Sequence, residues 1–301
     1  MVSAPPALLL AGHGTRSPDG VAEFHTLVRR VRALAAARRP GPAVGGGFIE
    51  LSPPPISATV ADLVAAGHRD LAVVPLVLFD AGHAKTDVPA SVNLARAAHP
   101  GVRVRYGRAL GVHPDLVELV DARLRSAVPE GLRRDTAVLL VGRGSTDPDA
   151  NAELHRVARL LWEGREWPLV EPAYVSLTGP RVPEGLARLH ALGARRVAVV
   201  PYLLFAGVLE RRIGAQARSF AAAHPGTGIV VTRRLGPDTR VAALALARYD
   251  EALAGTVARA CDTCVHRVAL PGFAHKVGAA LRPHHHPDDA HTHDAPEVHP
   301  P

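Results

Sequence analysis

The sequence predicts an α/β protein made of two tandem domains, each a mainly parallel sheet covered by helices on both faces. Two observations lead there. Short apolar runs alternate with longer Ala- and Arg-rich stretches of helical spacing, the pattern of parallel strands joined by crossover helices. The second half then repeats the motifs of the first, so whatever the first half builds is built twice.

In the first half the strand-like runs fall at 7–11, 44–50, 71–76 and 102–106, and the helical stretches at 21–38, 56–66, 90–98 and 114–127. The series restarts with runs at 137–141, 169–176, 197–203 and 228–232. LLLAGHGTRSPDGVAEFH at 8–25 matches LLVGRGSTDPDANAELH at 139–155, GGGFIELSPPPI at 45–56 matches EPAYVSLTGPRV at 171–182, and LAVVPLVLFDAGH at 71–83 matches VAVVPYLLFAGVL at 197–209. The stretch 128–135 breaks the periodicity and reads as the linker, giving an N-terminal domain at 1–130 and a C-terminal copy at 131–254. Residues 255–301 have no periodic apolar face. The last ~20 of them are expected to be disordered, because nothing there offsets the entropy of ordering.

Composition narrows the function classes. Of 301 residues 47% are hydrophobic but only 4% aromatic, so the cores must be Ala, Val and Leu, and few rings are available to stack on bases. The net charge of +7 comes from arginines scattered through helices rather than massed in one block. A polyanionic small molecule therefore fits better than nucleic acid. The apolar run near the start lacks a charged flank and is too short to cross a bilayer, so no membrane association is expected and the location reads as cytoplasmic. Two cysteines, Cys261 and Cys264, exclude a disulfide framework. AGHGTRSPDG is neither GxGxxG nor a phosphate loop with its lysine, so a nucleotide site is not indicated.

Three polar residues stand where ligands bind in such sheets, beyond the carboxyl ends of strands. His13 lies between two glycines after the first strand, Glu50 ends the second, and His83 follows the third. Each taken alone has a plain structural reading: a loop histidine capping a helix, a capping carboxylate, a packed imidazole. The duplication sharpens the choice. Aligned, the halves place His13 opposite Arg143, Glu50 opposite Ser176 and His83 opposite Leu209, while Gly12/Gly142, Gly14/Gly144, Pro18/Pro148, Pro75/Pro201 and Phe79/Phe205 persist. Framework residues persist with the fold, whereas a functional set is lost from a spare copy as a unit. Two imidazoles and a carboxylate at one sheet edge suit a borderline divalent metal with open positions. The other histidines before the tail, His25, His68, His99, His113, His155, His190 and His224, read as structural.

GHGTRSP, GFIELSPPPI and VVPLVLFDAGHAKTDVP resemble the motifs of the sirohydrochlorin chelatases, the class II cobalt/ferrochelatases, over about residues 7–250. The resemblance implies two chelatase-like domains facing across a cleft, and ATP-independent insertion of Co2+ or Fe2+ into sirohydrochlorin for cobalamin or siroheme. It makes His13 and His83 the metal ligands and His13 also the acceptor of pyrrole protons. Glu50 falls at an acidic position near metal and substrate, and Leu78, Phe79, Asp80, Ala81 and Gly82 at a substrate-contacting loop.

The chemistry agrees: a neutral imidazole with a pKa near ~6.5 can accept a proton near neutrality, and activity is expected to fall below about pH 6. Because the substrate is a polycarboxylate, loop cations are expected to face it, with Arg16, Lys85, Arg143, Arg211 and Arg212 as candidates and Arg143 as the assigned substrate-binding one. Cys261 and Cys264, near His266, have the spacing of a zinc or redox pair. Some members of the resembled family carry an iron–sulfur centre at a C-terminal cysteine pair, which two thiolates alone cannot complete; a cluster shared in a homodimer is left open. The tail histidines His284, His285, His286, His291, His293 and His299 read as a metal-buffering sequence and tilt the metal toward cobalt. Two alternatives remain: a ferrochelatase serving siroheme, and a non-catalytic metal chaperone or store. A store needs no macrocycle cleft.

Overall fold

Strand β1 (Ala7–Gly12) is buried along its whole length and shows how the first layer is assembled. Leu8 and Leu10 point to one face of the sheet and Ala7, Leu9 and Ala11 to the other, each into a separate apolar cluster. A strand that is apolar on both faces demands helices on both. The computed structural model, which describes residues 4–258 and 261–279, supplies them.

The first sheet holds β1, β2 (Val44–Phe48), β3 (Asp70–Pro75) and β4 (Arg103–Tyr106) in the order β2-β1-β3-β4, all parallel. The second holds β5 (Ala137–Gly142), β6 (Val170–Tyr174), β7 (Arg196–Pro201) and β8 (Gly228–Val231) in the order β6-β5-β7-β8, again all parallel. Register is conserved as well as order, with Leu8 opposite Val44 and Ala72, and Val138 opposite Val170 and Ala198. In both sheets the order in which strands are added reverses at the central pair, β1/β3 and β5/β7, which opens a crevice at the carboxyl ends of the strands.

Helix α1 (Pro18–Ala36) starts where Ser17 accepts from the Gly20 N–H and Pro18 takes the first helical position. Helix α5 (Pro148–Trp162) starts the same way, with Asp147 as cap. Helices α2 (Ile56–Ala65) and α3 (Val88–Ala97) cover the outer face of the first sheet, and α6 (Val182–Ala191) and α7 (Val208–Ala223) that of the second. The inner faces share one core that runs through both halves.

Two helices cross over in that core. Helix α4 (Pro114–Ala127), from the first half of the sequence, packs on α5 and β7. Helix α8 (Thr239–Ala254), from the second, packs on α1, β3 and β4. The stretch 128–135 contains a 3-10 turn, Glu130–Asp135, that hands the chain from α4 to β5. Polar ties reinforce the exchange: the Tyr249 hydroxyl donates to the Pro6 carbonyl at 2.7 Å, and Arg38 pairs bidentately with Asp250 at 2.7 and 2.9 Å. A boundary drawn at residue 130 thus follows the sequence repeat, while each layered unit borrows one helix from the other half. The borrowing is not visible as periodicity, because an amphipathic helix does not say which sheet it will cover.

Helix and strand ends shift by a few residues from the sequence reading. The largest change is at 83–97, where the chain is helical throughout: a π-helical turn, His83–Asp87, leads straight into α3. The tail histidines His284, His285, His286, His291, His293 and His299 lie outside the described residues, as does the segment expected to be disordered.

Candidate active site

The backbone places His13 and Glu50 side by side before their side chains matter. The loop after β1 is stitched to the loop after β2: Ile49 N–H donates to Gly12 C=O at 2.9 Å, and Glu50 N–H to His13 C=O at 3.1 Å. The second half repeats the stitch, Val175 to Gly142 at 3.0 Å and Ser176 to Arg143 at 3.0 Å. The turn needs glycine. Gly14 has φ +109°, and a Cβ there would lie 1.8 Å from the Glu50 carbonyl oxygen; at Gly144, φ +87°, it would lie 2.0 Å from that of Ser176. The shared frame explains why the glycines persist while His13, Glu50 and His83 do not: the frame is a folding requirement and the side chains it displays are not.

His83 comes to the same place from the π-helical turn. Its ring centre is 4.1 Å from that of His13, with the planes at 84°. His13 Nδ1 lies 3.1 Å from the Gly14 carbonyl and His83 Nδ1 2.6 Å from Asp87 Oδ2. Both partners are acceptors, so both Nδ1 atoms carry the hydrogen and both Nε2 atoms keep their lone pairs. That is the tautomer a metal-binding imidazole needs, and a carboxylate behind the ring is the usual device for fixing it. Asp87 was missed in the sequence. Its signal was H-x-x-x-D, a spacing that joins the two side chains only on a helical turn, and that stretch read as a loop.

Glu50 completes the group. Its side chain is 2% exposed, Oε1 stands 3.4 Å from His13 Nε2, and Oε2 is buried without a hydrogen-bond partner. A carboxylate facing an imidazole lone pair is a repulsive ground state that a cation between or beside them relieves. Among the described residues no three or more His, Cys, Asp or Glu side chains form a closed metal cage. The site offers two imidazoles, with a carboxylate beside rather than across from them.

Burial, helped by the neighbouring His83 and by the Arg143 cation, lowers the His13 pKa to about 4. His13 is therefore unprotonated far below pH 6, where its acid limb was expected. The same effect makes it a weaker base than the ordinary imidazole the sequence implied. Arg143 belongs to the second half, yet it acts electrostatically on His13 and feels the Glu50 carboxylate, so the two halves face each other across this point. The residue as a whole is exposed, and burial of its charge by the surrounding protein lowers its pKa from the usual value, opposed by Glu50.

The other candidates divide. Lys85 does not await a substrate: Nζ is 2.7 Å from Asp147 Oδ2 and 3.5 Å from Asp149 Oδ2, with the lysine side chain only 11% exposed. It ties the His83 turn to the cap of α5 across the two halves. Arg211 lines a hollow with Asp19, Glu23 and Glu210 whose lining includes neither imidazole, and Arg16 and Arg212 are exposed. In the loop before His83, Phe79 stacks on Tyr202 with ring centres 5.6 Å apart, and Leu78 packs on the shared core. Asp80 accepts from the Ala109 N–H at 3.2 Å, leaving Ala81 and the exposed Gly82 as the open part. Cys261 and Cys264 are free thiols on a segment that touches the second half, where the Thr263 hydroxyl donates to Asp149 Oδ1 at 2.6 Å.

A two-lobed α/β protein, with paired imidazoles at the strand ends of one lobe and an arginine facing them from the other, is the class this geometry defines. The chain belongs to the CbiX family, whose model matches residues 7–127 and 137–252, one match per half. It is 33% identical to the sirohydrochlorin cobaltochelatase of Priestia megaterium over 267 residues, 88% of this chain and 85% of that protein. It is 31% identical to the sirohydrochlorin ferrochelatase of Bacillus subtilis over 73% of this chain and 82% of that one. Among solved structures, SirB from Bacillus subtilis with Fe3+ is similar at a TM-score of 0.73 and 29% identity, covering 83% of this chain and 96% of that one. A SirB complex with cobalt is similar at 0.67 and 27%, covering 82% and 94%. Among the described residues no helix is long and apolar enough to cross a membrane.

Proposed function

We propose that this chain is a sirohydrochlorin chelatase that inserts a divalent metal into the macrocycle without ATP. One observation carries the site assignment: two imidazoles, each anchored through Nδ1, meet beside a buried carboxylate, under a cation from the opposite half. The metal is substrate here. His13 and His83 hold it through Nε2, and their number leaves positions for the incoming ring nitrogens, which a closed four-ligand cage would not.

Metal entry displaces two pyrrole N–H protons. His13, with its depressed pKa, stays available as a ligand, and once its Nε2 has passed the metal to the ring nitrogens it relays a proton rather than keeping it. Glu50, 3.4 Å away with one oxygen unpartnered, is the group to receive the first proton, and the second leaves to bulk water. Arg143 binds a peripheral carboxylate of the substrate, and Asp87 holds the His83 ring in place. The open backbone at Ala81 and Gly82 lies along the macrocycle edge, while Leu78, Phe79 and Asp80 shape that loop from behind.

Cobalt is the metal to test first, because the cobaltochelatase matches over more of the chain than the ferrochelatases do. Cys261 and Cys264 do not fit an iron–sulfur cluster within one chain. They supply two of four thiolates, and no larger ligand group stands near them among the described residues. The function is tested by mixing the protein with sirohydrochlorin and Co2+, Fe2+ or Ni2+ and following the absorbance change. Insertion above the spontaneous rate with at least one metal supports it; metal binding with no effect on insertion would make the protein a store.

A further inference from the structure

We infer that His190 and His224, on the second half, form a separate site for a borderline divalent cation such as Zn2+ or Co2+, with water in the remaining positions. It lies at the carboxyl ends of α6 and α7, hence at the edge of the second sheet opposite the strand ends that carry the cleft. His190 is the penultimate residue of α6 and His224 caps α7.

The two rings are 5.1 Å apart, centre to centre, and inclined at 60°. Two imidazoles on one tetrahedral ion, with metal–nitrogen bonds of about 2.0–2.1 Å, have ring centres about 5 Å apart. Their chemistry is prepared in the same way as at the cleft. His224 Nδ1 is 3.0 Å from the Phe220 carbonyl, which only accepts, so Nδ1 carries the hydrogen and Nε2 is left with its lone pair. His190 Nδ1 is 2.9 Å from the Thr227 hydroxyl, and donating there leaves its Nε2 bare as well.

The rings are also held. Phe220 stacks on His224 at 4.0 Å and 12°, and the Thr227 N–H donates to the His224 carbonyl at 2.9 Å, so one buried threonine ties both histidines. Two helix carboxyl termini bring partial negative charge to the same spot, which favours a cation. No third His, Cys, Asp or Glu completes a cage among the described residues, so the site is a two-imidazole chelate open to water. In the duplication, His99 corresponds to His224 and Val64 to His190, so the pair exists only in the half that lacks His13 and His83. Both histidines had read as structural, because nothing in their spacing, 34 residues apart by number, shows that two helix ends meet.

The test is a Zn2+ titration of the full chain labelled with 15N-histidine, which reads each imidazole separately and so keeps binding by other histidines apart. The Nε2 resonances of His190 and His224 are expected to move together with one midpoint. His99 serves as the single-imidazole control. His190→Ala is expected to move the His224 midpoint to more than about tenfold higher Zn2+, and His224→Ala to do the same for His190, because chelation is lost. Thr227→Val, which keeps both ligands, is expected to weaken binding by about tenfold. A His13→Ala/His83→Ala double variant is expected to leave the midpoint unchanged. The inference is overturned if His190 and His224 respond no earlier than His99, or if His190→Ala leaves the His224 midpoint where it was. Neither result depends on whether the cleft is a chelatase site.

Discussion

Replacing His13 by Asn should change how the stability of the protein depends on pH, by an amount the structure fixes. In the unfolded chain His13 titrates near the ordinary imidazole value of 6.5, and in the folded protein at about 4. Between those values the unfolded state binds a proton that the folded state refuses, so the wild type loses stability as pH falls through 6.5, and the loss levels off below about 4. Each pH unit inside the window is worth about 1.4 kcal/mol, so by pH 4.5 the wild type has lost about 2.5 kcal/mol through this residue alone. His13→Asn cannot titrate and keeps that stability. Its advantage over wild type should therefore grow by about 2–3 kcal/mol between pH 7.5 and 4.5, measured as the difference in urea unfolding free energies. Titrating groups that do not interact with His13 act on both proteins and cancel. Parallel pH–stability curves would refute the argument, since His13 would then titrate alike in both states.

The remaining predictions concern how the site is held. Arg143→Ala is expected to weaken sirohydrochlorin binding by about 1–3 kcal/mol, the range for a charge-assisted hydrogen bond, and to raise the His13 pKa because a neighbouring cation is gone. A tetrapyrrole titration and a histidine NMR titration read the two effects. Asp87→Asn is expected to lower turnover by about 10–100-fold with little change in stability, because the His83 ring loses the carboxylate that orients it. Gly14→Ala is expected to cost more than about 3 kcal/mol, since it puts a side chain into a positive-φ turn and against the Glu50 carbonyl. A denaturation curve of that variant matching wild type would show that the turn is not as rigid as described.

Much of the fold was legible because a buried parallel strand leaves a plain mark. AVVP and VVP runs flanked by helical spacing show where sheets are, and the repeat shows that there are two. That His13, Glu50 and His83 come together could be anticipated for a different reason: the duplication supplied an internal comparison, in which framework positions persisted and these three changed together. The exchange of α4 and α8 was not legible, because helix amphipathicity does not encode the partner sheet. Asp87 and the true role of Lys85 were missed together. Both depend on the π-helical turn at 83–87, which a short polar stretch between a loop and a proline does not announce. The depressed pKa of His13 was missed because burial and the approach of Arg143 from 130 positions away by number arise only when the halves meet.

The most direct test of the central claim is the initial rate of Co2+ insertion into sirohydrochlorin by wild type, His13→Ala and His83→Ala, measured beside the affinity of each for the free tetrapyrrole. Both variants are expected to bind the tetrapyrrole within a few-fold of wild type, because Arg143 and the loop before His83 are intact, and to insert metal slower by a factor of about 10²–10⁴. Wild-type insertion rates in either folded variant would contradict the account.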